Sequence, residues 1–210
     1  MKFLQYLFIS LSHKILKLLP YTSIRILSVP IGTLYFLLTF RSSIKLFRRK
    51  EIFNELKINY KPLIVKINYT RYWLETLWLT NKNFSKYISP HVEIENLEYV
   101  EKLKKQYPGL IFALPHLGNW EFAIPIGNSI KLNLLAVAEP LNNSYVLNWF
   151  KSLRESLGIE IIIGGKGQNT FDLLVNKLNT YAEDENYIKT IRQVIKTNNF
   201  GIFDQKTISY

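Results

Sequence analysis

Cysteine is absent from this 210-residue sequence, and histidine occurs only three times. The lack of cysteine excludes a disulfide framework, a thiol nucleophile and any metal site with cysteine ligands. The three histidines, His13, His91 and His116, are too few for a histidine-rich metal cage, so we expect no metal cofactor. Hydrophobic residues make up 48% of the chain and charged residues 20%, which excludes a disordered protein.

Acidic residues are missing from residues 1–50, which contain nine basic ones. The remaining 160 residues carry 18 basic and 16 acidic residues, so most of the formal net charge of +11 belongs to the first segment. Nucleic-acid-binding proteins place such cations on a polar surface or in a helix-turn-helix or finger pattern, and neither occurs here. Because these cations lie among leucine, isoleucine and phenylalanine, we expect an anionic membrane surface as partner and no nucleic acid.

Two apolar stretches form this segment. Residues 4–19 place their apolar side chains at the spacing of one helix face, and Pro20 ends the stretch. Residues 26–40 contain no charge, but this run is shorter than the roughly 20 residues needed to span a bilayer. We therefore predict a segment of membrane-associating helices over residues 1–41. Two alternatives remain: the helices pack on the rest of the protein, or they form a signal peptide, which would require a small-residue cleavage site that is not found.

The rest of the chain alternates short apolar runs with stretches of helical spacing, after two predicted helices at 43–60 and 61–80. The predicted strands are Val92–Ile94, Leu110–Leu114, Leu132–Val137, Ile159–Ile163 and Phe200–Phe203. The predicted helices between them are Leu97–Lys105, Trp120–Ile126, Tyr145–Leu157 and Thr170–Leu178. This alternation predicts an α/β domain over residues 42–210, with a mostly parallel sheet flanked by helices. Ligands on such sheets bind at the carboxyl ends of the strands.

One junction between a strand and a helix carries residues suited to catalysis. The apolar run beginning at Gly109 reaches Pro115, which cannot continue a strand ladder, so His116 is predicted at the carboxyl end of the strand. Gly118 permits a tight turn, and Asn119 is a favoured helix N-cap. Glu121 then falls in the first helical turn, where the helix dipole favours its charge.

His116 and Glu121 could act together across this junction. A neutral imidazole can remove a proton from a hydroxyl while a carboxylate bonds its other nitrogen and stabilises the imidazolium. No Gly-x-Ser-x-Gly elbow and no cysteine is present, so a covalent acyl-enzyme has no evident nucleophile. The spacing alone leaves another interpretation open, in which His116 caps a helix and Glu121 is a solvated surface carboxylate.

The segment His116-Leu-Gly-Asn-Trp-Glu121 resembles the His-x4-Asp/Glu motif of the bacterial late acyltransferases. These comprise the lipid A lauroyl/myristoyl-type enzymes and the phosphatidylinositol mannoside acyltransferases. The resemblance extends over residues 40–178, through four further stretches: Tyr69–Glu75, Ala138–Asn143, Arg154–Gly158 and the Gly164-Gly165 turn.

The resemblance implies transfer of a fatty acyl group to a glycolipid hydroxyl at the cytoplasmic face of the bacterial cell membrane. The donor would be acyl-CoA or acyl carrier protein, and no cofactor would be needed. His116 would be the general base and Glu121 its partner. The positions that the resemblance assigns to substrate binding are Asn119, Glu139, Arg154 and Asp204. An ordinary cation at a helix C-terminus is an equally good interpretation of Arg154.

The sequence departs from the family pattern in two places. Residues 180–197 look inserted, and family members continue with further strands and helices after the motif that Asp204 begins. We therefore expect a C-terminally incomplete acyltransferase domain. This leaves two alternatives to an active enzyme: a truncated, catalytically inactive membrane-associated remnant, and a basic surface-binding protein without transferase ancestry.

Overall fold

The computed structural model describes residues 1–40, 61–107, 110–112, 114 and 118–164, which divide into two compact units. The first contains Met1 and residues 3–40, 61–90 and 118–122, and the second contains Lys2 and residues 91–107, 110–112, 114 and 123–164. The predicted helices at 43–60 and 170–178 and the predicted strand at 200–203 lie outside the described residues.

Two helices form the N-terminus of the first unit: α1 spans Lys2–Leu16 and α2 spans Tyr21–Leu38. Pro20 lies between them in an extended conformation, with φ −63° and ψ 150°. The first helix ends before the proline, but already at Leu16 rather than at residue 19 as predicted. Among the described helices, α2 is long and apolar enough to cross a membrane. The start of this helix lies before the charge-free run at residues 26–40, because the helix already begins at Tyr21 and includes Arg25.

Helix α3, Pro62–Trp78, packs against α2. The buried residues of α2 are Ile24, Ser28 and Gly32, which lie four residues apart on one face. A Cβ atom on Gly32 would lie 2.6 Å from the Cα atom of Ile67, so this close approach of the two helices requires glycine.

The end of α3 anchors the connection between α1 and α2. Trp78 is fully buried, and its indole Nε1 donates a hydrogen bond to the Leu19 carbonyl at 2.9 Å. The Asn83 amide Nδ2 donates to the carbonyls of Lys17 and Trp78, both at 2.9 Å. These bonds satisfy two carbonyls directly after α1 and one at the end of α3, where helix ends leave carbonyls without helical partners. Three short helical segments follow α3: Asn81–Asn83, Phe84–Ile88 and Ser89–His91.

The second unit contains a parallel pair of strands joined by a helix. Its elements are α4 (Leu97–Gln106), α5 (Ala123–Ser129), β1 (Leu134–Ala138), α6 (Ser144–Leu157) and β2 (Ile159–Ile163). Leu134 pairs with Ile159 and Ala138 with Ile163. Asn143 caps α6, since its side chain accepts hydrogen bonds from the backbone N–H groups of Tyr145 and Val146.

The α/β prediction is confirmed for one strand–helix–strand unit, whereas the described residues show no larger sheet. The strand predicted at Val92–Ile94 is wrong, because this segment is only three residues long and leads into a turn where Asn96 adopts a left-handed φ of 57°. The described residues of the Leu110–Leu114 run also form no strand, and the Ile111 side chain is 96% exposed. An apolar run favours a strand only when a neighbouring strand pairs with it.

Candidate active site

The turn that follows the predicted position of His116 is built as the sequence indicates. Gly118 adopts a positive φ of 64°, a conformation that favours glycine. The Asn119 side-chain Oδ1 accepts a hydrogen bond from the Glu121 backbone N–H at 3.2 Å, as predicted for a helix N-cap. Glu121 therefore lies in the short 3₁₀ turn Trp120–Phe122.

The Glu121 side chain is 1% exposed, so the interpretation of a solvated surface carboxylate is wrong. The Tyr72 hydroxyl lies 3.5 Å from its Oε1 atom. Removing a carboxylate from water is costly unless hydrogen bonds or opposite charge compensate it. His116 lies outside the described residues, and its pairing with Glu121 stays a prediction.

A second buried carboxylate, Glu75 on α3, contacts the same turn. It is 5% exposed and accepts two hydrogen bonds: one from the Tyr21 hydroxyl to Oε1 at 2.8 Å, the other from the Asn119 Nδ2 to Oε2 at 3.1 Å. Glu75 ends the Tyr69–Glu75 stretch of the family resemblance but was not among the predicted site residues. Glu75 is the only acidic residue of this 17-residue helix and lies in its largely apolar C-terminal half. An acidic side chain is almost never buried without a partner, and this pattern could have identified Glu75 from the sequence.

The hydroxyl of Tyr21, the first residue of α2, has a shifted pKa. Burial raises the pKa of the Tyr21 hydroxyl to about 12, and the Glu75 carboxylate contributes to the rise. A raised pKa keeps the hydroxyl protonated, so it serves as a hydrogen-bond donor to the carboxylate.

Glu139 and Arg154 lie in the second unit. Glu139 is exposed and directly follows β1, at the carboxyl end of the parallel strand pair, where ligands of such sheets bind. Arg154 is half-buried in the last turn of α6, and its guanidinium lies 5.5 Å from the centre of the Phe150 ring. The position fits both the helix-terminal cation and the substrate-binding prediction. Asp204 lies outside the described residues.

The described ranges contain no group of three histidine, aspartate or glutamate side chains arranged to hold a metal ion. The groups brought together in the first unit are instead the two buried carboxylates, the half-buried Asn119 amide and the hydroxyls of the half-buried Tyr21 and Tyr72. This arrangement can orient the turn and hold negative charge next to it.

The sequence of the chain is similar to sequences of known acyltransferases. The sequence profile of the family described as "Bacterial lipid A biosynthesis acyltransferase" matches residues 2–194. The phosphatidylinositol mannoside acyltransferase of Mycolicibacterium smegmatis is 28% identical over 115 residues, and that of Mycobacterium tuberculosis strain CDC 1551 is 30% identical over 114 residues. Each alignment covers 53% of this chain and 36% of the relative. No solved structure matches the chain significantly.

Proposed function

Because the chain belongs to the bacterial lipid A biosynthesis acyltransferase family, we propose that it transfers a fatty acyl group to a hydroxyl of a glycolipid. The donor is a thioester, acyl-CoA or acyl carrier protein. The acceptor is of the lipid A or phosphatidylinositol mannoside type, and the mannoside type has the support of the relatives' names. His116 is the general base and Glu121 its partner.

The proposed step needs only one proton-transfer group. His116 takes the proton of the acceptor hydroxyl while the hydroxyl oxygen attacks the thioester carbonyl carbon, so that a C–O bond forms. The tetrahedral intermediate then breaks its C–S bond, and the departing sulfur takes the proton from the imidazolium. The Glu121 carboxylate bonds the other ring nitrogen, fixes the tautomer and stabilises the cation. The residues proposed to contact substrates are Asn119, Glu139, Arg154 and Asp204.

The observation that carries this proposal is the burial of Glu121 on the turn directly after the His116 segment. A surface carboxylate would indicate nothing about chemistry. A carboxylate removed from water, five residues after a histidine in the sequence and held by a capped turn, supports the proposed role as partner of a transient imidazolium.

The experiment is acyl transfer from labelled acyl-CoA to a total lipid extract by the full chain, comparing Glu121→Gln with the wild type. We expect Glu121→Gln to lower the rate about 10²-fold or more, because the imidazolium loses its counter-charge. Glu98→Gln, at an exposed position of α4, is the matched control and should leave the rate unchanged. Equal rates for the wild type and Glu121→Gln would refute the assigned role.

We further propose that α1 and α2 hold the protein on the cytoplasmic face of the cell membrane through its anionic lipids. The apolar face of α1 is exposed, and no residue of this helix is buried. Six apolar side chains of this segment, five on α1 and one just after it, are between 49% and 79% exposed: Leu4, Leu7, Phe8, Leu11, Ile15 and Leu18. Exposed cations of the same segment, Lys14, Lys17 and Arg25, suit anionic headgroups.

Flotation with vesicles tests this second proposal. We expect the full chain to float with vesicles that contain anionic phospholipid and to be released in high salt, because salt screens the attraction. The double variant Lys14→Glu/Lys17→Glu should lose most of this binding. Lys102→Glu/Lys105→Glu makes the same charge change on exposed positions of α4 and should keep it. Equal flotation of both double variants would contradict the proposal.

A further inference from the structure

A chain of three hydrogen bonds links the start of α2 to the turn that carries Glu121. The Tyr21 hydroxyl donates to Glu75 Oε1 at 2.8 Å, and the Asn119 Nδ2 donates to Glu75 Oε2 at 3.1 Å. The Asn119 Oδ1 in turn accepts from the Glu121 backbone N–H at 3.2 Å. The chain joins residues that are 54 and 44 positions apart in the sequence.

The chemistry of the partners fixes the direction of this chain. A carboxylate only accepts hydrogen bonds, whereas an asparagine side chain has one accepting and one donating end. Glu75 therefore requires the nitrogen end of the Asn119 amide to face it, and the oxygen end then faces the Glu121 N–H. An apolar group at position 75 would remove this constraint and a donating group would reverse it, so in either case the amide could rotate and lose the cap.

We propose that Glu75 is a positioning residue, which orients the Asn119 amide and so fixes the turn that carries Glu121, while Tyr21 fixes Glu75 from the first residue of α2. The catalytic consequence rests on the proposed function, but the positioning itself does not. Because α2 is one of the two helices proposed to meet the membrane, the same bonds tie the turn to the helix that contacts lipid.

Exchanging the carboxylate and amide side chains between positions 75 and 119 tests the proposal. Asn119→Asp places a second carboxylate opposite Glu75 and should break the contact. Adding Glu75→Gln restores every bond and reverses donor and acceptor only between positions 75 and 119. The glutamine nitrogen donates to the new carboxylate at position 119, and the glutamine oxygen still accepts from the Tyr21 hydroxyl. The other oxygen of the new carboxylate still caps the Glu121 N–H. The double variant also has the net charge of the wild type.

The readout is hydrogen–deuterium exchange of the segment 118–123 in the full chain, followed by mass spectrometry. In Asn119→Asp we expect exchange in this segment to be about tenfold faster, since a bond to a charged group is lost. In Glu75→Gln/Asn119→Asp it should return to the wild-type rate. Glu98→Gln, on the exposed face of α4, is the control and should leave this segment unchanged.

A merely structural role for Glu75 gives a different result. In that case the double variant would be at least as damaged as the more damaged single variant, and exchange would rise throughout the first unit. Either outcome would overturn the proposal. Because the measurement needs no turnover, a chain without acyltransferase activity can still pass it, so failure of the positioning role and failure of the proposed function are distinguishable.

Discussion

Ionisation of Tyr21 should destabilise the protein at high pH. Burial raises the pKa of the Tyr21 hydroxyl to about 12 from the ordinary value of 10.0, with a further contribution from the Glu75 carboxylate. Between these two values the folded protein keeps a proton that the unfolded chain has lost. The stabilisation is therefore complete below pH 10.0 and is lost as the pH rises towards about 12.

The size of the effect follows from the shift and from the exposure of the ring. A shift of this size corresponds to about 2.7 kcal/mol for a fully buried group. The Tyr21 ring is only half-buried, so solvent screening reduces the expected contribution to about 1 kcal/mol. The neighbouring carboxylate acts in the same direction as burial, because a phenolate beside it would add like-charge repulsion.

Urea unfolding of the wild type and Tyr21→Phe at about pH 9 and about pH 11 measures this contribution. The wild type should be the more stable protein at the lower pH, because it has the hydroxyl bond to Glu75. The gap should shrink by about 0.5 kcal/mol at the higher pH, because about pH 11 lies midway between the two pKa values and only about half of the contribution is lost there. Tyr99→Phe, at a 61% exposed position, is the control. A gap that is constant with pH would refute the reasoning.

Three further changes should alter stability. Gly32→Ala should cost about 1–3 kcal/mol, because the new Cβ would lie 2.6 Å from the Cα atom of Ile67 on α3; an unchanged midpoint of thermal unfolding would contradict this packing. Asn143→Ala should cost about 1 kcal/mol through loss of the α6 cap, and the same unfolding experiment would show no loss if the cap contributed nothing. Burial lowers the pKa of His13, whose Nδ1 lies 2.7 Å from the Leu77 carbonyl. Stability should therefore fall as the pH drops below 6.5, where the unfolded chain gains the proton first, and a His13→Gln variant that retained the same fall would exclude this histidine as its source.

The local features of the turn and of the helices were predictable from sequence because their signals lie within a few residues. Gly118 and Asn119 indicated a capped tight turn, and the structure has one. The predicted strand at Ile159–Ile163 is confirmed with the same bounds, since Gly158 ends α6 in a left-handed conformation directly before it. Glycine is the residue that such helix ends favour.

The features that sequence did not reveal depend on distant partners. The contact between the buried Glu75 and Asn119 joins residues 44 positions apart, and no local pattern specifies which polar group will meet a lone buried acid. The described residues of the strand predicted at Leu110–Leu114 form no strand for the same reason, because an apolar run shows what can be buried and not what pairs with it. The pairing of His116 with Glu121 stays a prediction.

The most direct test of the account is the rate of acyl transfer from labelled acyl-CoA to lipid acceptors by the wild type and His116→Ala. His91→Ala, which changes an exposed histidine, is the matched control, and all three proteins should have the same circular dichroism spectrum. We predict that the wild type and His91→Ala transfer the acyl group and that His116→Ala is about 10²–10⁴-fold slower. Equal transfer by the wild type and His116→Ala would contradict the central claim.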